Sequence, residues 1–599
     1  MLQTLNFYRA KLKSKPEIIL SIIFIIIFSF LIVVPFIKMI ITTFTYQGYD
    51  LRLVRGAQKG AFTLFHYKRV FASELTKSFF ITPLLNSIKV GFSVTVIAMT
   101  IGSLLAWLFV RTDIPFKKFF QTVIVVPYMI PSWVIAIAWQ LFFQNSRIGG
   151  QSGVLSTFFN IDVPDWLSFG FLPIVIVLSL HYFAYTFLLM SGALRTIDSE
   201  LEEAGAIAGL KRWDVLTKIT FPLVLPALGS SFVLTFTRSM GTFGTPALLG
   251  LPVRFFTIPT QIYAMINARN MGDGFVLALV LIIMAATAIS INSKIIGVRK
   301  SFVTMKGKGF RANPMKLGRA KPFLIIFLAA FIFFIIVLPI GMLTWSTFML
   351  LPDNYSISNL TAHFWIGKSD AMISSGEPGI FRNRGILRAT VNSIKLGVFA
   401  SVINAFLGLL IGYSVVKNRG TRISRLIEGV AFAPYVFPGI AFSAIYLGMF
   451  SKSFGPIPAL YGTFTLILLI VIVKNLPFSS RSGIAAMLQV DKSLEEAASI
   501  QGIPWFKRFW TIVLPLCKSG FVSGMLLTFI TAMRELSLVI LLVAPKTGLL
   551  TTIIFSYKTQ EQTQHVNGVT LILLLIIIIA NVLIKLIANT KTDQTISLG

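Results

Sequence analysis

The amino-acid sequence predicts an all-α membrane protein of about twelve transmembrane helices, arranged as two parallel six-helix repeats. Three observations carry that expectation. Apolar runs of roughly 20 residues, long enough to cross a bilayer, recur along the whole chain. A mean hydropathy of +0.82 and 55% hydrophobic residues over 599 positions exclude a string of soluble domains. A polar stretch also occurs twice between such runs. It reads LEEAGAIAGLKRWDVLTKITFPLVLP from Leu201 to Pro226 and LEEAASIQGIPWFKRFWTIVLP from Leu494 to Pro515, at a constant offset of 293 positions.

The first apolar run covers about 18–43, behind Arg9, Lys11, Lys13 and Lys15. It is too long for a signal-peptide core and has no small-residue cleavage site, so it reads as a retained span. A hydrophilic segment at roughly 45–82 precedes runs near 84–110, 119–143, 169–193, 223–249 and 274–297. The stretch from Lys294 to Lys321 is the most basic of the chain. It contains Gly307, Gly309 and Pro314, has no apolar period, and reads as a linker. Runs near 322–347, 389–416, 426–450, 460–480, 519–544 and 566–588 complete the count. The expected divisions are a first transmembrane half at 1–297, a basic linker at 298–321 and a second half at 322–599.

The repeat extends beyond the polar stretches. Asn86-Ser87-Ile88-Lys89-Val90-Gly91 recurs as Asn392-Ser393-Ile394-Lys395-Leu396-Gly397, and Pro127-Tyr128 with Pro131 recurs as Pro434-Tyr435 with Pro438, shifted by 306 or 307 positions. Two six-span units that begin and end on the same side form a parallel repeat, and an even span number puts both polar stretches on one face. With the N-terminus inside, about 31 Lys and Arg fall inside and about 16 outside, the asymmetry expected of cytoplasmic loops. Both termini are therefore expected in the cytoplasm of a multi-pass protein of the cell (inner or plasma) membrane. Arg52, Arg55, Lys59, Lys68, Arg69 and Lys77 run against this, either as a solvated loop or as a surface for acidic residues on an extracytoplasmic protein.

Each polar stretch reads as two short helices with a break. Asp198 and Asp491 are matched N-cap candidates, and Glu202/Glu203 and Glu495/Glu496 place negative charge in a first turn, where the helix dipole favours it. Gly209 and Gly502 fall at the bend, and Pro222 and Pro515 suit the first turn of the next helix. Ala204 and Ala497 are small enough for another backbone to approach.

Catalysis is not expected. The nearest approach to a phosphate-binding loop, Gly367-Lys368-Ser369, has Ala362 where the first glycine belongs. The single Cys517 excludes an internal disulfide, and His66, His181, His363 and His565 lack metal-ligand spacing, so no metal is expected. A net charge of +31 is accounted for by the bilayer partner rather than by nucleic acid, since no nucleic-acid-binding signature accompanies it. Ionisable residues inside spans are costly and mark pathway candidates. These are Arg238 in the fifth span and Arg534 with Glu535 in the eleventh, Glu535 aligning with Thr242 at the offset of 293. Lys89 and Lys395 fall near span ends and can snorkel.

The two polar stretches resemble the cytoplasmic signature of ABC importer permeases: Glu-Ala-Ala, three residues, Gly, nine residues, Ile, one residue, Leu-Pro. The second copy matches throughout, at Glu496, Ala497, Ala498, Gly502, Ile512, Leu514 and Pro515; the first departs at Gly205 and Phe221. The resemblance implies the type I ABC importer permease fold, with both transmembrane halves in one polypeptide. It implies coupling loops at Glu203, Ala204, Gly209, Glu496, Ala497 and Gly502, which dock on two copies of a separate ABC ATPase. It also implies an extracytoplasmic substrate-binding protein and no cofactor in this chain, ATP-Mg residing on the ATPase. The stretches Phe243–Tyr263 and Arg534–Tyr557 are most similar to fused permeases of iron(III) importers, which makes iron(III) the expected solute, with an accompanying anion that Arg238 or Arg534 would attract. Phosphonate, thiamine and polyamine importers share much of the pattern. A secondary transporter driven by an ion gradient is the other class, and it would need intramembrane carboxylates beyond Glu535.

Overall fold

The computed structural model describes residues 16–195, 199–299, 315–352, 354–453 and 455–588. Among them, nine helices are long and apolar enough to cross a membrane, or up to 12 when each of three bent pairs counts as one span. The principal helices in chain order are α1 (Pro16–Thr43), α2 (Thr82–Arg111), α3 (Ser132–Phe143), α4 (Phe171–Arg195), α5 (Ser199–Ile207), α6 (Phe221–Met240), α7 (Ile258–Asn267), α8 (Met271–Arg299), α9 (Leu338–Ser346), α10 (Arg384–Lys417), α11 (Gly439–Phe450), α12 (Phe464–Met487), α13 (Lys492–Ile500), α14 (Lys518–Arg534), α15 (Leu550–Thr559) and α16 (Thr563–Ala588).

Prolines set where the spans break. The third and ninth runs bend by 91° and 102° at Pro131 and Pro438, since the residue before a proline is pushed out of helical geometry. Among the described residues, four five-residue π-helical turns occur, at Lys77–Ile81, Leu216–Thr220, Phe333–Val337 and Phe509–Val513. Each lies two residues before a proline: Pro83, Pro222, Pro339 or Pro515. A proline at position i has no N–H for the carbonyl at i−4 and its ring collides with it. That carbonyl belongs to the centre of the π turn in all four cases, and the wider turn relieves the collision; past Pro515 the run nevertheless bends by 77° between Leu516 and Lys518.

The fifth and eleventh runs end earlier than hydropathy indicates. α6 stops at Met240, and residues Gly244–Gly250 form a separate short helix. α14 stops at Arg534, and the backbone is extended at Glu535. The expected ends at 249 and 544 are corrected to 240 and 534. The residues beyond stay apolar because they remain buried, so hydropathy does not register the change of direction.

The chain divides into two compact units, one of residues 1–65, 383–556 and 572–599, the other of 66–382 and 557–571. They do not follow the two sequence halves. In the first unit, α1 packs on second-half helices: Lys38 Nζ donates to the Met449 carbonyl at 3.1 Å, Tyr446 Oη to the Leu31 carbonyl at 2.9 Å, and Phe36 meets Phe437 edge-on at 5.5 Å. In the other unit, the span that opens the second half packs on the first: Phe331 meets Phe183 at 5.5 Å, and Lys321 Nζ pairs with Asp113 at 2.8 Å. That ammonium and the Leu317 N–H hold the Asp113 carboxyl below the usual carboxylate range.

The repeated Asn-Ser pair has a local role in each unit. Asn86 Nδ2 donates to the Phe256 carbonyl, and Ser87 Oγ accepts the Ile258 N–H at 2.8 Å, capping α7. Asn392 Nδ2 donates to the carbonyls of Lys546 and Gly548, and Ser393 Oγ accepts the Leu550 N–H at 2.9 Å, capping α15. Small residues bring the long helices together, as expected where lipid supplies no hydrophobic drive. A Cβ on Gly102 would lie 2.6 Å from the Phe183 carbonyl oxygen, and one on Gly408 would overlap the Ser479 backbone. Gly408→Leu is therefore expected to separate α10 from α12 and cost about 1–3 kcal/mol or more, read as a lower midpoint of thermal unfolding in detergent. An unchanged midpoint would show that this crossing is loose.

Candidate functional site

The twin polar stretches fold alike. α5 and α13 are each followed by a glycine in the left-handed region, Gly209 at φ +84° and Gly502 at φ +75°. Nothing lies within 4 Å of a Cβ built on either, so the dihedral, not crowding, calls for glycine. The residue after each glycine donates back to the helix, Leu210 N–H to the Gly205 carbonyl and Ile503 N–H to the Ala498 carbonyl, both at 3.1 Å, which closes a Schellman cap. Asp491 caps α13 by accepting the Ser493 N–H at 2.9 Å, and that bond holds its carboxyl below the usual range. Asp198 and the side chain of Glu203 lie outside the described residues.

The sequence-selected Ala204, Gly209, Glu496, Ala497 and Gly502 are all exposed. Three apolar pairs accompany them, each related by the same offset of 293: Ile207 and Ile500 at 88% and 87% exposed, Trp213 and Phe506 at 72% and 67%, and Leu201 and Leu494 at 50% and 49%. Exposed apolar groups repeated at matched positions mark a surface made to be covered. Sequence reasoning missed them by attending to charge and glycine, although their recurrence at the constant offset was legible.

The first glutamate of each doublet points inward instead. Glu202 Oε1 accepts from Thr220 Oγ1 at 2.7 Å and pairs with Arg111 Nη2 at 3.2 Å. Glu495 is more deeply held: Oε1 accepts from Tyr413 Oη at 2.6 Å, Oε2 pairs with Lys417 Nζ at 2.6 Å, and Arg508 Nε stands 3.8 Å away. Arg508 also donates to Ser499 Oγ and to the Ile503 carbonyl, tying the bend to α13. Arg111 and Lys417 correspond at the offset of 306 and end α2 and α10.

Among the intramembrane candidates, the structure gathers Arg238 and Thr242 with Tyr128, His181, Tyr182 and Tyr185. Arg238 Nη1 donates to Tyr128 Oη at 3.3 Å, and its guanidinium lies 5.3 Å from the Tyr185 ring centre. Tyr128 stacks on Tyr185 and His181, and Tyr182 Oη bonds Thr242 Oγ1 at 2.8 Å. The other unit carries the matching positions with different chemistry. Thr531, in register with Arg238, donates to Asn475 Oδ1 at 2.7 Å. The half-buried Arg534 and Glu535 sit at the end of α14, where the Glu535 carbonyl accepts from Thr551. Arg238 and Arg534 are thus not equivalents.

His181, which the sequence offers only as a histidine without ligand spacing, and Lys474, which sequence reasoning passed over, align at the offset of 293. His181 Nδ1 bonds the Pro127 carbonyl at 3.1 Å, and Lys474 Nζ donates to the Pro434 carbonyl at 2.8 Å and to that of Phe437. Each supplies a donor to a carbonyl that a broken span leaves without a helical partner. Of the outward basic set, Arg69 is withdrawn: it pairs with Asp273 at 3.1 Å, which also bonds the buried His66 at 3.0 Å.

The paired loops on a two-fold repeated helical framework match a known pattern. The chain belongs to the family of binding-protein-dependent transport system inner membrane components, whose pattern it contains twice, at residues 98–293 and 404–590. It is thus a transport component whose family works with a solute-binding protein. A Haemophilus influenzae permease assigned to ferric transport, FbpB 1, is 29% identical over 483 residues, covering 79% of this chain and 72% of its own length. The ferric transport system permease protein FbpB of Actinobacillus pleuropneumoniae is 27% identical over 507 residues, covering 82% of this chain and 70% of its own. The molybdenum transport system permease protein ModB of Escherichia coli is 29% identical over 209 residues, covering 35% of this chain and 88% of its own.

Lys474→Met removes the donor that serves two buried carbonyls, so a loss of about 2–4 kcal/mol is expected in denaturant titration of the detergent-solubilised protein, while Lys474→Arg retains most of the stability. Equal effects of the two substitutions would disprove the carbonyl-capping role.

Proposed function

We propose that this chain is the membrane permease of an ATP-driven importer that passes iron(III) from an extracytoplasmic binding protein to the cytoplasm. The observation that carries the reading is the twin set of exposed apolar residues on α5 and α13, each beside an internally latched glutamate. Two closely matched outward surfaces suit two copies of one ATPase subunit, which would hold the ATP and magnesium; this chain would carry no cofactor. The exposed Glu496, and Glu203 in the same register, would meet basic groups of those subunits. The ferric assignment is supported by relatives that match four-fifths of this chain and are named for ferric transport.

In this reading both loops face the cytoplasm, as do both termini. The binding protein delivers solute on the opposite face. Closure of the two ATPase subunits on ATP draws α5 and α13 together, and the helices attached to them open the pathway alternately to the two sides. Arg238, Thr242, Arg534 and Glu535 are the pathway candidates. The Arg238 guanidinium, held by Tyr128 and Tyr185, would repel a bare ferric ion and accept one accompanied by an anion.

Ile207→Asp together with Ile500→Asp is expected to weaken ATPase co-purification about tenfold or more, from the lost burial of two isoleucines, without altering the folding of the permease. Glu203→Arg with Glu496→Arg is expected to leave a folded permease that is unassembled or uncoupled. Normal ATPase binding and transport in both variants would exclude these loops as the docking sites. Proteoliposomes holding permease, ATPase and binding protein are expected to take up ferric iron with internal ATP and not with a proton gradient alone; the reverse would make the chain a secondary transporter.

A further inference from the structure

The carboxylate latches and the Asn-Ser caps lie at the two ends of the same helices. At its last residues α2 carries Arg111, bonded to Glu202 of the first loop, and near its start it carries Ser87, bonded to the first turn of α7. α10 repeats this with Lys417 on Glu495 and Ser393 on the first turn of α15. The spacing from serine to cation is the same in both, 24 residues, or about 36 Å of helix at 1.5 Å per residue. Neither α2 nor α10 is interrupted by a π turn between those points. They contrast with the third and ninth spans, which bend by 91° and 102°.

We propose that α2 and α10 are rigid rods that carry displacement of the signature loops to the opposite face, with Glu202, Arg111, Glu495 and Lys417 as positioning residues. The inference rests on the docking role of the loops given above and adds how their motion travels. Each loop is joined by the chain only to the spans that flank it. The latch adds a third attachment, to a helix distant in sequence, and the serine cap ties that helix to α7 or α15, the elements that follow the broken fifth and eleventh spans. The two rods are unequal. The Glu495 side chain is 7% exposed and engages Tyr413, Lys417 and Arg508, whereas Glu202 is 23% exposed and engages Arg111 and Thr220. The second latch is the more deeply held, so it is expected to matter more.

The test is amide hydrogen exchange, read at two places. In the permease alone, Glu495→Gln should speed exchange of the 492–503 amides roughly tenfold or more, since a buried ion pair is broken; an unchanged rate overturns the latch irrespective of any partner. In the complex with its ATPase and binding protein, addition of ATP with vanadate should change exchange at 548–553 in the parent. Lys417→Glu and Glu495→Lys should each abolish that change while the ATPase still co-purifies. The double variant K417E/E495K should restore it, and Lys417→Arg should behave as the parent, because the twin position is already Arg111. Persistence of the ATP-dependent change in the single variants, or no recovery in the double, overturns the rod. Loss of ATPase co-purification in the Ile207→Asp/Ile500→Asp variant alone would leave the docking reading standing even then; its retention would remove that reading and not the latch.

Discussion

Inside a bilayer no water is available to satisfy backbone N–H and C=O groups, so every departure from regular helix must be repaired by the protein itself. This constraint accounts for most of the irregular features of the molecule. Four prolines enter helices behind π turns. The sharper breaks at Pro131 and Pro438 leave carbonyls to which His181 and Lys474 supply donors. The short helices α7 and α15 have first-turn N–H groups that would otherwise be unpaired, and Ser87 and Ser393 accept from them. The repeated polar residues of the spans are in these cases backbone partners.

The side chains near Arg238 and their counterparts differ between the halves. Around Arg238 the first half collects four aromatic or imidazole rings, with one cation held by a phenol hydroxyl and a ring face. The corresponding positions of the second half keep Tyr435 in place of Tyr128 but otherwise carry Lys474, Asn475, Phe478 and Thr531. A repeat that conserves its backbone repairs while diverging at the intervening side chains keeps its framework two-fold and its polar interior asymmetric.

The signature loops show how one helix can serve both ends. In α13 the residues of a Glu-Glu doublet face opposite ways, Glu495 buried against Tyr413 and Lys417, Glu496 exposed beside Ala497 and Ile500. Adjacent residues on a helix lie about 100° apart at 3.6 residues per turn, so one helix can be anchored inward and exposed outward at once. Gly205 fits the same plan. It occupies the place of Ala498, and a Cβ there would lie 2.6 Å from Ile219 Cδ1, so the first copy packs its isoleucine closer to α5 than an alanine would allow.

Span number, the twin stretches, the bend glycines and the parallel repeat were all written in the chain, because hydropathy and periodic spacing are properties of neighbours in sequence. The ends of the fifth and eleventh spans were not, since Met240 and Arg534 are followed by apolar residues that stay buried after the backbone turns aside. The latches of Glu202 and Glu495, the carbonyl partners of His181 and Lys474, and the withdrawal of Arg69 onto Asp273 join residues far apart in the chain; folding alone could choose them. Folding also decided that the first span of each half packs with helices of the other, since an apolar helix is equally content against any apolar neighbour until shape and small residues select one.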